Sequence, residues 1–411
     1  MKVLQINATD FFSTGNIMLQ IAEVGRKNGI EMYTAAKKTA TSVRKGVPTD
    51  YHYLIGNRYE HAVNRLFSSL TDLQDSGSVI ATLNFINYIK KISPDIIHIH
   101  DIAGYYLNLK LFFDFLKRYN KPVIWTLHCC WAYTGRCIHY DYIGCKEWQK
   151  SCKGCAQPRK QFPKHLTLNL SSYNFNKKKK LVTELGTLYV VAISKWMEQE
   201  ARKSYLQRFP ILTIYDGIDL NQFFPEPNHL LLKKYNLVGK KIILGVASAW
   251  SERKGLKYFV ELRKQLHRDF AMVLIGLSEE QQKKLPDNII GLRTTFDIQE
   301  LRNWYSDADV FVNPTLEEGL GLVNIEAQAC GTPVVTFATG GAIETISVDS
   351  GKVVGKGDVD ALKSSILEVI SSGKDYYMEA CINQARNFKK EDKYHEYIEL
   401  YKEIYANGVK K

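Results

Sequence analysis

Asn313-Pro-Thr-Leu-Glu-Glu-Gly-Leu-Gly-Leu322, followed three residues later by Glu326-Ala-Gln-Ala-Cys-Gly-Thr-Pro333, is the stretch on which the fold of this 411-residue chain turns. A strand ends at Asn313 and a short loop carries Glu318, Gly319, Leu320 and Gly321. A helix then begins near Leu322 and stops at Gly331, with Pro333 opening the next strand. Gly319 and Gly321 leave backbone N–H groups uncovered at a helix N-terminus, a setting that favours an anion. Glu318 stands just before that helix and Glu326 about one turn into it. Two carboxylates repel a phosphate, so they suit hydroxyl groups on either side of one. Taken alone, the loop reads equally as a turn with an acidic helix cap.

Around this unit, short apolar runs alternate with helix-length amphipathic stretches, the pattern of βα units on a parallel sheet. The first half offers strands at Val3–Ile6, Met32–Ala35, Ile96–Ile99, Val123–Leu127, Tyr189–Ile193 and Leu212–Tyr215. Its helices are expected at Ile17–Lys27, Val79–Ile92 and Leu107–Tyr119. Asp216-Gly-Ile-Asp219 reads as a turn, and Phe224-Pro-Glu-Pro-Asn228 as linker-like sequence. The alternation then restarts, with strands at Ile242–Val246, Ala271–Ile275, Ile289–Leu292, Val310–Asn313 and Pro333–Phe337. The expectation is an α/β protein with two doubly wound, Rossmann-like domains, 1–222 and 223–390. Residues 391–411 form a final amphipathic helix with a tyrosine-rich face that must dock somewhere, expected to be the first domain.

Composition narrows the class. Apolar residues make up 45% of the chain and charged residues 24%, which rules out disordered, collagenous and coiled-coil readings. No apolar run reaches the roughly 18 residues of a membrane span, and the start does not read as a secretory signal, so a cytoplasmic protein is expected. The net charge of +12 is uneven: residues 1–222 hold 30 Lys and Arg against 17 Asp and Glu, whereas 223–411 hold 25 against 26. The excess in the front half points to an anionic partner or to plain solubility. Nucleic acid has no supporting motif.

The second domain resembles the GT-B glycosyltransferases of the large retaining family 4. Glu318-x7-Glu326 with its trailing Ala-x-Ala-x-Gly-x-Pro-Val matches that family's paired-glutamate motif, and Trp250-Ser-Glu-Arg-Lys-Gly255 matches its phosphate-binding segment. Tyr215-Asp-Gly-Ile-Asp219 through Phe224-Pro225, Asp307-Ala-Asp309-Val and Gly340-Gly-x-x-Glu344 extend the likeness. The resemblance implies two facing domains with a cleft that closes. It implies a donor diphosphate held by Lys254 with Arg253, and ribose hydroxyls on Glu326. Glu318 and the Gly319–Leu322 backbone would hold the donor sugar and phosphate, and Thr295-Phe296 the base. Many members carry an arginine six residues before the lysine; here that position is Ser248, and Arg253 is the candidate to replace it.

The first domain matches more loosely. Ser13-Thr-Gly15-Asn16, read as preceding the first helix, occupies the place of the family's phosphate-approaching loop. His128, at a strand end, matches a histidine that lies at the sugar in relatives. Cys129 follows it where an Asp is common. His98 and His100 are read as packing residues, and Lys177–Lys180 as a solvated helix face. Six of the eight cysteines fall between Cys129 and Cys155. Cys137, Cys145, Cys152 and Cys155, in an insertion spanning 129–163, suit either a structural zinc site, with His139 able to replace one thiolate, or unligated thiols.

The implied activity is transfer of a sugar, with retention, from a nucleotide-sugar donor to a glycan or lipid-pyrophosphate-linked acceptor, in cell-surface polysaccharide synthesis. Catalysis is assigned to His128, Glu318 and Lys254, with no metal cofactor needed. The basic first domain is expected to meet an anionic membrane, at the inner face of the plasma membrane. A nucleotide-sugar 2-epimerase and a non-catalytic module of the same fold are the alternatives.

Overall fold

A computed structural model describes residues 1–44, 50–157, 164, 166 and 168–409. Residues 158–163 of the expected cysteine-rich insertion and residues 410–411 at the end of the expected final helix lie outside the described residues. The chain divides into two compact units, Met1–Tyr215 with Lys393–Lys411, and Asp216–Asp392.

In the first unit, β1 (Lys2–Asn7), β2 (Glu31–Lys37), β3 (His52–Ile55), β4 (Ile96–Ile99), β5 (Val123–Leu127), β6 (Leu188–Ala192) and β7 (Ile211–Thr213) form one sheet in the order β3-β2-β1-β4-β5-β6-β7. All described pairings are parallel, with Lys2 opposite Glu31 and Val3 opposite Ile96. The central strands β4 and β5 are buried at every residue, as a parallel sheet covered on both faces requires. Helix Leu109–Tyr119 shows how connections are punctuated. The Asn108 side chain accepts from the Leu111 N–H at its start, and Asn120 at φ 52° ends it ahead of Pro122.

The second unit repeats the scheme with β8 (Lys241–Val246), β9 (Phe270–Ile275), β10 (Ile289–Leu292), β11 (Val310–Asn313), β12 (Val334–Phe337) and β13 (Gly351–Val354), in the order β10-β9-β8-β11-β12-β13. The strand order reverses between β8 and β11, and the loops leaving their C-terminal ends diverge there. That is where open α/β sheets gather ligands.

Several boundaries differ from the sequence reading. The first helix starts at Phe12 rather than Ile17, so Ser13 to Asn16 lie inside it rather than before it. The first unit ends at Tyr215 instead of 222, because Ile218 already pairs with Lys389 of the second unit. β3, the helix Arg58–Thr71 and β13 had no expectation at all. The last helix, Lys390–Val409, joins the first unit from Lys393 onward, with Tyr394, Tyr397 and Tyr401 fully buried.

Candidate active site

In the second unit, the loop after β8 and the loop after β11 are stitched together at the strand-order reversal. The Leu316 N–H donates to the Arg253 carbonyl at 2.7 Å, and the Arg253 guanidinium donates to the Glu317 carbonyl at 2.5 Å. Gly255 sits at φ 79°, and a Cβ there would fall 2.0 Å from the Pro314 carbonyl oxygen, so only glycine lets the two loops close. Lys254 Nζ then lies 2.5 Å from Glu318 Oε2, in a largely buried ion pair. Burial pushes the Lys254 pKa down, against the opposing pull of Glu318.

Gly321, at φ 96°, precedes the helix Leu322–Ala329 and leaves its first turn open. Leu320 turns its side chain inward, 2% exposed, so that residue can offer a ligand only its backbone. Gly340 packs under Glu318: a Cβ on it would meet the Glu318 carbonyl oxygen at 2.0 Å, and the Gly341 N–H donates to that oxygen at 2.9 Å. The glycine pair quoted from the sequence is therefore the support of the Glu318 loop.

Glu326 accepts a 2.9 Å hydrogen bond from the Tyr305 hydroxyl, and burial raises its pKa to about 7. Tyr305 is fully buried and escaped the sequence reading. A buried tyrosine needs a partner for its hydroxyl, which was the available signal. Thr295 and Phe296 lie in the loop after β10. The Thr295 hydroxyl donates to Glu300 at 2.6 Å, and the Phe296 ring is 74% exposed. Ser248 is exposed after β8, and its carbonyl accepts from Thr294 at 3.3 Å.

In the first unit, Gly15 lies within the first helix with ordinary φ. It is tightly covered: a Cβ would come 2.9 Å from the Thr9 carbonyl oxygen. His128 follows β5, and its Nε2 is 3.0 Å from Nδ1 of His100, whose Nε2 is 2.7 Å from Gln5 Oε1. His98 and His100 are buried, and burial pushes both imidazoles well below their usual pKa. They are more than packing: His100 links His128 to the sheet interior. The half-buried Asp101 beside them has its pKa raised to about 6 by desolvation, with the Ala103 N–H and then His128 pulling it back.

The four cysteines do gather. Burial raises the Cys137 thiol's pKa, and neighbouring Cys152, Cys155 and Cys145 raise it further. The Gly135 N–H donates to Cys152 Sγ at 3.0 Å. Among the described residues, however, no group of three or more His, Cys, Asp or Glu side chains is arranged to hold a metal ion. Beside them the lysine run corrects its reading as a solvated face: Lys178 is 2% exposed. Its Nζ donates to the Trp131 carbonyl at 2.5 Å and the Thr134 carbonyl at 3.0 Å.

The comparisons with known proteins fall into two parts, as the chain does. The model described as Glycosyltransferase Family 4 matches residues 16–222, and that described as Glycosyl transferases group 1 matches 240–372. A GDP-mannose-dependent monoacylated alpha-(1-6)-phosphatidylinositol monomannoside mannosyltransferase of Corynebacterium glutamicum is 27% identical over 47% of this chain and 55% of its own. The capsular polysaccharide biosynthesis glycosyltransferase CapM of Staphylococcus aureus is 26% identical over 44% of this chain and 52% of its own. The chain thus spans about half the length of these curated relatives. The fold is shared with the sucrose-phosphate synthase of Thermosynechococcus elongatus, at a TM-score of 0.70 and 17% identity over 99% of both chains.

Proposed function

From the premise that this chain belongs to Glycosyltransferase Family 4, we propose that it moves a sugar from a nucleotide-sugar donor to a glycan or lipid-pyrophosphate-linked acceptor, in cell-surface polysaccharide or glycolipid synthesis. The observation that carries this reading is the Lys254–Glu318 ion pair at the glycine-opened helix start. A cation, a carboxylate and a helix start without a side-chain cap converge there, as a sugar diphosphate requires. The donor diphosphate replaces Glu318 as counter-ion of Lys254, with Arg253 beside it, and Glu318 turns to the sugar hydroxyls. Glu326, oriented by Tyr305, takes the ribose, and Thr295 and Phe296 take the base. The relatives' printed names, one a GDP-mannose-dependent lipid mannosyltransferase and one a capsule enzyme, support both ends of the proposal.

Transfer proceeds with retention on one face of the sugar. The anomeric carbon–diphosphate bond breaks, and the acceptor oxygen bonds to the same face. Its proton passes to the departing diphosphate, whose growing charge Lys254 and Arg253 stabilise without a metal cofactor. In the first unit, His128 is the proposed catalytic residue, and Gly15 lets the first helix pack closely on the Thr9 carbonyl. The test is a thermal-shift screen of nucleotide sugars followed by transfer assays with the hit. Lys254→Ala and Glu326→Ala should each lower turnover about a hundredfold while the protein stays folded. Near-normal turnover in both overturns the donor site.

The four thiols stand apart from this chemistry; the described side chains are not arranged around an ion, and we propose that a structural zinc would draw them together and brace the segment after His128. Elemental analysis of the purified protein should find about one zinc per chain; none would return the cluster to thiol packing.

A further inference from the structure

The helix Arg58–Thr71 is built inside out. Its buried residues are His61, Asn64 and Ser68. His61 Nε2 lies 3.0 Å from the Ile55 carbonyl oxygen, Asn64 Nδ2 donates to Ser78 Oγ at 3.0 Å and to the Tyr105 carbonyl at 2.8 Å, and Ser68 Oγ donates to the Leu73 carbonyl at 3.2 Å. The outward face carries Tyr59, Val63, Leu66 and Phe67, respectively 86%, 68%, 60% and 42% exposed. A surface helix ordinarily turns its apolar stripe to the core and its polar stripe to water. Here the two are exchanged, and the inner polar groups are held by specific bonds, so the orientation is fixed.

The neighbouring helix Val79–Ile92 extends the apolar surface. Its Ala81 N–H donates to Glu60 at 3.1 Å, bringing its first turns alongside, and Ile80 and Leu83 are 69% and 46% exposed. Isolated exposed apolar residues are commonplace, but a set along one helix face, continued on the first turns of a helix that meets it at Glu60 and Ala81, marks an interaction surface. Its exposed charges are both positive. Arg58 and Arg65 are exposed, while Glu60, the helix's one acidic residue, is turned onto the Ala81 N–H.

We infer that this face docks on an anionic lipid bilayer, with Tyr59, Val63, Leu66 and Phe67 entering the interface and Arg58 and Arg65 meeting lipid phosphates. An apolar face flanked by arginines, on a helix of 14 residues, has the make-up of a segment that lies in the bilayer surface. Spanning the bilayer would take about 20 residues. A second copy of the chain fits less well, because a two-fold contact through this patch sets its arginines against one another. The location is apt. The Tyr105 carbonyl that Asn64 and Ser78 hold belongs to the segment leaving the C-terminal end of β4, the end of the sheet at which His128 stands. A lipid-linked acceptor would be met at that end.

In that last respect the inference rests on the transferase reading, but its test needs neither donor nor acceptor. The full-length protein is co-sedimented with vesicles of phosphatidylcholine alone and of phosphatidylcholine mixed with phosphatidylglycerol. Wild type should bind the anionic vesicles more tightly, with an affinity that falls as salt rises. The Leu66→Asp, Phe67→Asp double variant should bind them about tenfold or more weakly. Its melting temperature and its response to nucleotide sugars should match wild type, because both side chains are exposed. Three outcomes overturn the inference: no vesicle binding by wild type, equal binding by the variant, or a wild-type dimer that the variant dissociates without any vesicle binding. Loss of transfer with vesicle binding intact would instead count against the donor site.

Discussion

The hydroxyl of Tyr401 lies 2.6 Å from Nδ1 of His98, a residue 303 positions earlier in the chain. His98 Nε2 is in turn 2.8 Å from the Thr126 hydroxyl, which is 3.2 Å from the hydroxyl of Tyr397. The His98 ring packs 4.1 Å from that of His100, the neighbour of His128. The tyrosine face of the last helix thus completes the polar interior of the first unit, directly behind the strand end that carries the candidate catalytic histidine.

Tyr401→Phe should therefore destabilise the protein although it removes a single oxygen. It strands a buried imidazole nitrogen, at a cost of about 1–3 kcal/mol. Tyr401→Ala adds a cavity and should cost about 3–5 kcal/mol. Urea unfolding followed by a probe in the first unit measures both. Equal stability of Tyr401→Phe and wild type would show that the contact carries no weight.

Donor binding should weaken as the pH falls through about 7, because burial raises the Glu326 carboxyl to that value and only the ionised form accepts two hydroxyl bonds. The sign for stability is opposite. With its folded pKa above the ordinary 4.5, the group holds its proton longer in the folded chain, so the unliganded protein loses stability as pH rises from 4.5 to about 7. Glu326→Gln should flatten the pH dependence of donor KM and raise KM above pH 7, while stabilising the unliganded protein there. A donor KM that keeps its wild-type pH profile in Glu326→Gln would remove Glu326 from the titration.

The glycines of the donor loops can be tested without touching a charge. Gly255→Ala places a methyl group where the Pro314 carbonyl oxygen lies and imposes an unfavourable φ, so the loops after β8 and β11 must part. Donor affinity should fall about tenfold or more, with a stability loss of about 1–3 kcal/mol. Gly239→Ala is the control: its φ is also positive, at 81°, but its Cβ would meet nothing within 4 Å. Isothermal titration with the donor nucleotide separates the two. Matching losses of affinity would reduce the effect to backbone strain.

What the sequence revealed follows from how local each signal is. Periodicity and punctuation marked most of both sheets, because strands such as Ile96–Ile99 are continuously apolar and their helices end on Asn or Pro. Lys254, Glu318 and Gly321 were legible as motifs because they serve one small loop pair. Tyr305 and His100 were not, since their importance lies in a partner remote in sequence, Glu326 and His128 respectively. Helix Arg58–Thr71 was missed because its buried stripe is polar, which inverts the periodicity a helix is sought by. Lys178 was misread for a related reason: one residue in a run of four faces inward, and composition cannot say which.

That lysine supplies a last prediction. Burial pushes Lys178 down to about 7 from its ordinary 10.5, against the attraction of Asp75. Between those values the unfolded chain holds a proton that the folded chain has released, so stability from this group rises with pH above about 7. The slope is at most about 1.4 kcal/mol per pH unit. Lys178→Met keeps much of the apolar stem but leaves the Trp131 and Thr134 carbonyls without their donor, so it should be destabilising at every pH. The difference between wild type and Lys178→Met should widen from pH 7 to pH 8.5, because only wild type gains from releasing the proton. Melting temperatures of the two proteins across that range give the slope directly. A constant difference would mean that Lys178 stays charged in the folded protein, held by Asp75 and the Trp131 ring, whose centroid is 3.5 Å from Nζ.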